Sequence, residues 1–477
     1  MSKVLRDVRQ PSWIAGEAVD ADQRLTVRYP YSGEEVGSAA VAGPPELERA
    51  VEAALAGGPA LTRHQRFEVL ERARALLGEH AEELAALILS ETGLAARETA
   101  YEVRRAQDVL RFAAMEALRD DGQAFSADVT EGGPARRIFT MREPLRLAAA
   151  ITPFNHPLNQ VAHKLAPAIA AGTPMVLKPS EKTPLSALRL TELLYEAGLP
   201  GWMLSCLVGP IDTVVEPLVR DARVELVSFT GSATIGRRVG GLAGYKKVCL
   251  ELGGNSPLIV LADADLDLAV QLAAEGCFRN SGQRCTSVKR LLVHEAVLDE
   301  FTERFVERAR DYVAGDPTDP ATRVGTVIDE AAAERLERVV RDAVGAGAEV
   351  LLGGERRGAL LPPTVIAKVP RTAEMVVEES FGPLAPILSV RDVDDAIELA
   401  NATAYGLAAG VVTDSLDQAL RVVRGVRTGM VNVNAVPGFR IESSPFGGVK
   451  DSGLGIKEGV IEAMKFLSTI KTFSLPW

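Results

Sequence analysis

Phe278-Arg279-Asn280-Ser281-Gly282-Gln283-Arg284-Cys285 is the stretch on which the reading of this 477-residue chain turns. It sets a cysteine behind a Gly-Gln turn, directly after an amphipathic segment that reads as a helix. A cysteine on a tight turn near backbone N–H groups can be held as a thiolate and can attack a carbonyl carbon. Cys206, Cys249 and Cys277 lie inside apolar runs and read as core filler, the commoner fate of a lone cysteine. Cys285 differs in its polar, glycine-containing flank, where Arg284 is expected to favour the thiolate. Upstream, Glu251-Leu252-Gly253-Gly254-Asn255 puts a carboxylate at the end of the run Lys247-Val248-Cys249-Leu250. A carboxylate near a cysteine thioester can deprotonate the water that hydrolyses it.

Working outward, from about residue 146 short β-like runs alternate with helical stretches. Leu147 to Ile151, Pro174 to Leu177, Leu204 to Val208 and Glu225 to Phe229 read as strands. Val161 to Ala171, Leu185 to Ala197 and Ile235 to Ala243 read as the helices between them. This rhythm implies βαβ units and a parallel sheet, and a second alternating series runs from Pro257 to about Asn434. The fold class is therefore α/β. Before it, residues from about 45 to 118 read as helices, with Glu46 to Leu55 and Arg66 to Leu89 carrying apolar residues at three- and four-residue spacing. Arg136 to Glu143 and Lys471 to Trp477 alternate like strands outside the rhythm. They read either as edge strands or as a β-arm that pairs with another subunit.

Composition narrows the function. The formal charge of −11 disfavours a nucleic-acid or anionic-membrane partner. Four cysteines and five histidines, with no CxxC pair or Cys/His cluster at metal spacing, leave no metal site and no disulfide framework. No leader-like apolar segment follows Met1-Ser2, and no apolar run reaches membrane-spanning length, so a cytoplasmic protein is expected.

Further motifs fall at the ends of the expected strands, where open parallel sheets collect ligands. Thr152-Pro153-Phe154-Asn155-His156-Pro157 follows one strand and opens a helix; Asn155 can aim an amide N–H at a developing oxyanion. Lys178-Pro179-Ser180-Glu181 ends another. Phe229-Thr230-Gly231-Ser232 is a strand, turn and helix start that lacks the G-x-G-x-x-G fingerprint but can still offer N–H groups to a diphosphate. Glu379-Ser380-Phe381-Gly382-Pro383 lies farther along.

The patterns F-T-G-S-x-x-x-G, E-L-G-G-N, F-x-N-x-G-Q-x-C and E-x-F-G-P, in this order within the stretch from about residue 140 to 460, resemble the aldehyde dehydrogenase superfamily. The resemblance implies an NAD-binding domain (1–121 and 144–251), a catalytic domain (252–443) and an oligomerisation arm with C-terminal segment (122–143 and 444–477). It also implies a homodimer or homotetramer. In that family's mechanism Cys285 adds to an aldehyde, and Asn155 with a backbone N–H holds the oxyanion. Hydride then passes to NAD, and Glu251 activates water for hydrolysis in preference to coenzyme A transfer. The implied cofactor contacts are Thr152, Pro153, Phe154, Lys178, Ser180, Glu181, Gly231, Ser232, Glu379 and Phe381. Glu181, an acceptor for the adenosine 2′-hydroxyl, favours NAD over NADP.

Arg105, His156, Arg284 and Arg440 fall where the family lines its substrate tunnel with neutral groups. Their convergence implies an anionic substrate, since guanidinium forks suit phosphonate, phosphate, sulfonate or carboxylate. Arg104 beside Arg105 leaves open which of the two faces the tunnel. The runs Arg137 to Leu145, Ile151 to Pro157 and Lys471 to Trp477 resemble the phosphonoacetaldehyde dehydrogenase group most closely. Phosphonoacetaldehyde is thus the expected substrate. The alternatives are phosphonoformaldehyde, sulfoacetaldehyde, glyceraldehyde 3-phosphate and succinic semialdehyde, or, remotely, a non-catalytic structural protein of the same fold.

Overall fold

The computed structural model describes residues 3–476; Met1, Ser2 and Trp477, the last read with the arm, lie outside the described residues. Two seven-stranded sheets organise the chain. In the first, the strands Lys247–Glu251, Leu226–Thr230, Ala148–Ile151, Met175–Lys178 and Leu204–Cys206 lie side by side in that order, all parallel. Ser12–Ile14 and Glu17–Val19 extend the sheet antiparallel at one edge. Among the parallel strands the chain starts at the central one, Ala148–Ile151, builds outward on one side, then returns to lay Leu226–Thr230 on the other. The order reverses between those two strands, which is where such sheets open a ligand crevice at their carboxyl ends.

Every residue of Ala148–Ile151 and Met175–Lys178 is buried, because apolar clusters cover both faces of the sheet. A strand buried on both sides has no polar face to show, so these read as unbroken apolar runs. The second sheet, in the order Glu349–Leu352, Thr364–Ala367, Leu384–Val390, Val288–His294, Ser256–Val260, Ala408–Val412 and Met430–Val433, is built likewise and covered on both faces. Only its first strand runs antiparallel.

The chain passes from Glu251, the last residue of the first sheet, to Ser256, the first residue of a strand of the second, through Leu252–Gly253–Gly254–Asn255. This short link sets carboxyl ends of one sheet against amino ends of the other. Cys285 precedes the strand Val288–His294, and Glu379 and Phe381 precede Leu384–Val390, so both loops fall at that junction.

The helical stretch over 66–89 belongs to two helices, Arg63–Glu79 and Ala81–Thr92. His80 (φ −98°, ψ 16°) leaves helical geometry between them, and its N–H turns back to the Gly78 and Leu76 carbonyls. Apolar spacing continues through the corner because both helices pack on the same core, so periodicity alone does not reveal the break. Arg136–Pro144 and Ser468–Pro476 pair antiparallel along their whole length, and Ala124–Ser126 joins the first. Phe139 stacks on Phe473 across this sheet at 5.4 Å, while Met141, Ile470 and Leu475 stay exposed. Among the described residues no helix is long and apolar enough to cross a membrane.

Candidate active site

The loop that carries Cys285 is held by each residue of its motif. Phe278 ends the helix Leu266–Phe278 fully buried, stacked on Phe305 at 5.9 Å and against Tyr312 at 5.5 Å. Burial of such a side chain contributes roughly 1.5–3 kcal/mol. Asn280, Ser281 and Gly282 then follow one another in the left-handed region, at φ 56°, 52° and 67°. A Cβ on Gly282 would stand 2.1 Å from the Gly382 carbonyl oxygen, so the loop meets the Glu379–Pro383 segment backbone to backbone. Gln283 fastens the other side: its Oε1 accepts from the Ile328 N–H at 2.9 Å. Buried Lys289 donates from Nζ to the Gly282 carbonyl and lies 5.3 Å from the Phe381 ring centre.

Asn155 is buried, and its Nδ2 donates to the Gln283 carbonyl at 2.8 Å. The Asn280 Nδ2 donates in turn to the Asn155 carbonyl at 3.1 Å. A carboxamide nitrogen carries two protons. One is committed to the Cys285 loop, which orients the group and leaves the second for a substrate oxygen.

Cys285 is half-buried and free. Burial pushes its thiol up to about 12; Glu379 and Glu251 add to the rise, and Arg440 and Lys289 oppose it. The expectation that Arg284 favours the thiolate is corrected here. Arg284 Nη2 donates to the Glu275 and Gly276 carbonyls at 3.2 Å each, satisfying acceptors in the last turn of the helix Leu266–Phe278. The guanidinium thus serves the helix end, beside Arg279, Glu98, Glu275 and Arg105, and not the sulfur. Glu251 is buried with both carboxylate oxygens free of hydrogen bonds. Burial raises its pKa well above the ordinary value and Glu458 adds to the rise, against Lys164, Arg440 and Lys457.

At the carboxyl ends of the first sheet, the buried Thr152 and Thr230 hydroxyls, on neighbouring strands at the point of reversal, have no hydrogen-bond partner. Pro153 and Phe154 are half-buried, with Phe154 set edge-on to Phe381 at 5.8 Å and 86°. Lys178 reaches Glu181 through a 2.9 Å ion pair, and the Ser180 hydroxyl accepts from the Lys182 N–H. Gly231 donates its N–H to the Glu251 carbonyl at 3.0 Å, and Ser232 caps the helix Ala233–Ala243. Glu379 accepts from the Gly254 N–H at 3.1 Å; a Cβ on Gly253 would sit 2.2 Å from its carboxylate. Burial brings the Glu379 carboxyl up to about 7, against the pull of Lys289.

The basic residues converge only in part. Arg105, on the helix Ala96–Ala117, faces inward, and its Nε donates to Glu442 Oε1 at 2.5 Å; Arg104 is exposed over Tyr101. Arg440 lies on the Phe446 ring at 4.1 Å with Nη2 3.7 Å from Glu442, and its buried Nη1 has no partner. Its charge acts on both Arg105 and Cys285. His156 turns from Asn155 toward buried Glu102, with Nδ1 at 3.3 Å from Oε2. The other Glu102 oxygen accepts from the Leu158 and Asn159 N–H groups at the start of the helix Asn159–Ala171. Neither Glu102 nor Glu442 was singled out from the sequence. Glu102 lies one helical turn or less from Arg105, the signal that pointed to that helix; Glu442 stands two residues after Arg440.

A thiol able to take up a carbonyl, set against a sheet-reversal crevice suited to a dinucleotide, is the arrangement of a thiol-dependent oxidoreductase. The Aldehyde dehydrogenase family is matched over residues 16–473, and the chain belongs to that family. It is 38% identical over 448 residues to the 3-sulfolactaldehyde dehydrogenase of Priestia megaterium, covering 94% of each chain. To the sulfoacetaldehyde dehydrogenase of Neptuniibacter caesariensis it is 39% identical over 408 residues, 86% of this chain and 89% of that one. Among solved structures, aldehyde dehydrogenase 21 of Physcomitrella patens in complex with the reaction product succinate superposes with TM-score 0.95 at 36% identity over 99% of both chains.

Proposed function

We propose that the protein oxidises a small anionic aldehyde through a thioester on Cys285, and that phosphonoacetaldehyde, oxidised to phosphonoacetate, is its substrate. The observation that carries the anionic reading is the group of guanidinium ions at the site. Arg105 acts electrostatically on both Arg284 and Arg440, Arg440 acts on the thiol, and Arg440 Nη1 and Arg284 Nε are buried and without partners. A buried unpartnered donor costs about 1–3 kcal/mol, which a phosphonate or sulfonate oxygen would recover. The phosphonate choice rests on the likeness of the longer sequence runs to that group. Similarity to the two sulfonate-aldehyde dehydrogenases favours a sulfonated aldehyde as the second reading.

NAD or NADP fits the crevice. The orphaned Thr152 and Thr230 hydroxyls, the capped helix after Ser232 and the Phe154–Phe381 pair offer polar groups, N–H donors and an aromatic wall. Lys178, Ser180 and Glu181 would hold the adenosine ribose, with Glu181 favouring NAD, and Glu379 the nicotinamide ribose. Bound cofactor supplies the acceptor for the hydride that leaves the aldehyde carbon.

This chain's own residues do the rest. The thiol, protonated at neutral pH when alone, must give up its proton as it adds to the carbonyl. Glu379 and, after it, Glu251 are the carboxylates whose fields act on it. The thiol proton passes to solvent, and the raised pKa of Glu251 makes it a stronger base when ionised, suited to the proton of the water that attacks the thioester. Asn155 gives its free amide N–H, with the Cys285 backbone N–H as second donor, to the oxygen that becomes anionic. The division into segments 1–121 with 144–251, 252–443, and 122–143 with 444–477 belongs to the same proposal. So do a cytoplasmic setting, supported by four free cysteines, and a homodimer or homotetramer joined through the arm with its exposed Met141, Ile470 and Leu475.

The test is intact-mass analysis of Glu251→Gln mixed with NAD and phosphonoacetaldehyde. A phosphonoacetyl adduct that builds up on Cys285 and is absent in Cys285→Ala is expected. No adduct, with turnover retained, would overturn the mechanism.

A further inference from the structure

Glu442 places a carboxylate inside a pocket whose expected ligand is an anion. Its side chain is buried and touches three basic residues: Arg105 Nε at 2.5 Å, His163 Nε2 at 2.7 Å and Arg440 Nη2 at 3.7 Å. Burial opposes ionisation of this carboxyl, yet the His163 hydrogen bond and the nearby arginines hold it well below the ordinary carboxylate range. Burial also pushes the His163 imidazole down, so at neutral pH it is an uncharged donor behind Glu442. The counter-charge to the carboxylate therefore comes from Arg105 and Arg440.

Two consequences follow from the geometry. Arg105 repels Arg440 and lowers its proton affinity, and the carboxylate that both approach lets both side chains stay inside. Because Arg105 makes its bond through Nε, the Nη1/Nη2 fork at its tip remains uncommitted, as does Arg440 Nη1. Such a fork binds tetrahedral oxyanions in two-point fashion when its plane is fixed.

We infer that Glu442 is a positioning and specificity residue: held by His163, it turns Arg105 and Arg440 so that their free N–H groups converge on the anionic head of the substrate. This inference rests on the anionic-aldehyde reading above. It makes Glu442 a residue that never touches the reacting carbon yet sets the preference for a charged over an uncharged aldehyde.

The test is steady-state kinetics of wild type, Glu442→Gln and Glu442→Asp with phosphonoacetaldehyde, sulfoacetaldehyde and propanal. Loss of one aligned charge-assisted contact is expected to raise KM for the anionic aldehydes about ten- to a hundredfold in Glu442→Gln. Values of kcat should stay within about threefold, and kcat/KM for propanal should not change. Glu442→Asp keeps the charge but withdraws it by one methylene, and an intermediate rise in KM is expected. Should Glu442→Gln fail to fold, the aspartate variant carries the test alone. Wild-type KM for the anionic aldehydes in these variants would overturn the inference while leaving the anionic reading intact. Loss of propanal activity in parallel would reduce Glu442 to a structural role. A wild-type enzyme that prefers propanal would overturn the anionic reading itself.

Discussion

Replacing Gly282 by alanine puts the geometry of the cysteine loop under direct load. Its φ of +67° is one that a residue with a Cβ enters at a cost of about 1–2 kcal/mol. The added methyl would stand 2.1 Å from the Gly382 carbonyl oxygen, 2.3 Å from its carbon and 2.7 Å from the Pro383 nitrogen. All three are backbone atoms, so no flexible side chain can move aside. Restoring ordinary contact requires the Cys285 loop and the Glu379–Pro383 segment to part by about 1 Å, and overpacking of this kind costs a further 1–3 kcal/mol or so. The sum, roughly 2–5 kcal/mol, is local strain at the junction of the two sheets. A displacement near 1 Å between thiol and cofactor loop is expected to lower kcat about a hundredfold. The assay is NAD(P)H formation at saturating aldehyde, beside a thermal melt and a count of reactive thiols. Wild-type kcat with an unshifted melt would refute the close-approach reasoning.

Three further outcomes are expected. Asn155→Ala removes one oxyanion donor and the tie to Gln283, and should lower kcat about a hundred- to a thousandfold with the melting temperature little changed; kcat within threefold of wild type would contradict the role. With no cofactor or substrate added, alkylation of Cys285 by iodoacetamide should quicken steadily from pH 7 to 10, because the thiol is raised to about 12; a plateau below pH 8 would show that the sulfur is already a thiolate. Asp395, buried and clasped by Arg371 at 2.7 and 2.8 Å, has its carboxyl held far below its ordinary 3.8. The unfolded chain then binds the extra proton first, so this pair's stabilisation is complete above that value and lost as pH falls beneath it. Asp395→Asn should therefore lower the melting temperature at pH 7 and narrow the gap to wild type on acidification; a gap independent of pH would contradict this.

Much of the frame can be read directly from the residues because the patterns are local. Doubly buried strands appear as short apolar runs, and their carboxyl ends carry Thr152–His156, Lys178–Glu181 and Gly231–Ser232 at positions the crevice requires. Arg136–Pro144 and Ser468–Pro476 alternate visibly, although their pairing spans most of the chain and is not local. The site's electrostatics were less legible. Arg284 next to Cys285 in sequence looks like a partner for the sulfur, yet it turns to the carbonyls of the preceding helix. Glu442 meets Arg105 across hundreds of residues, and Glu102 meets His156 across half a hundred, so spacing gives no hint of either. The break at His80 is hidden for another reason: apolar spacing records which face is buried, not whether the axis bends.

The most direct measurement is the rate of NAD(P)H formation by wild type and Cys285→Ala with phosphonoacetaldehyde, sulfoacetaldehyde and propanal at equal concentration. Turnover of an anionic aldehyde at least tenfold above propanal, highest with the phosphonate and abolished in Cys285→Ala, is the expected result. Equal or faster oxidation of propanal would contradict the anion pocket, and turnover that survives loss of Cys285 would contradict the chemistry.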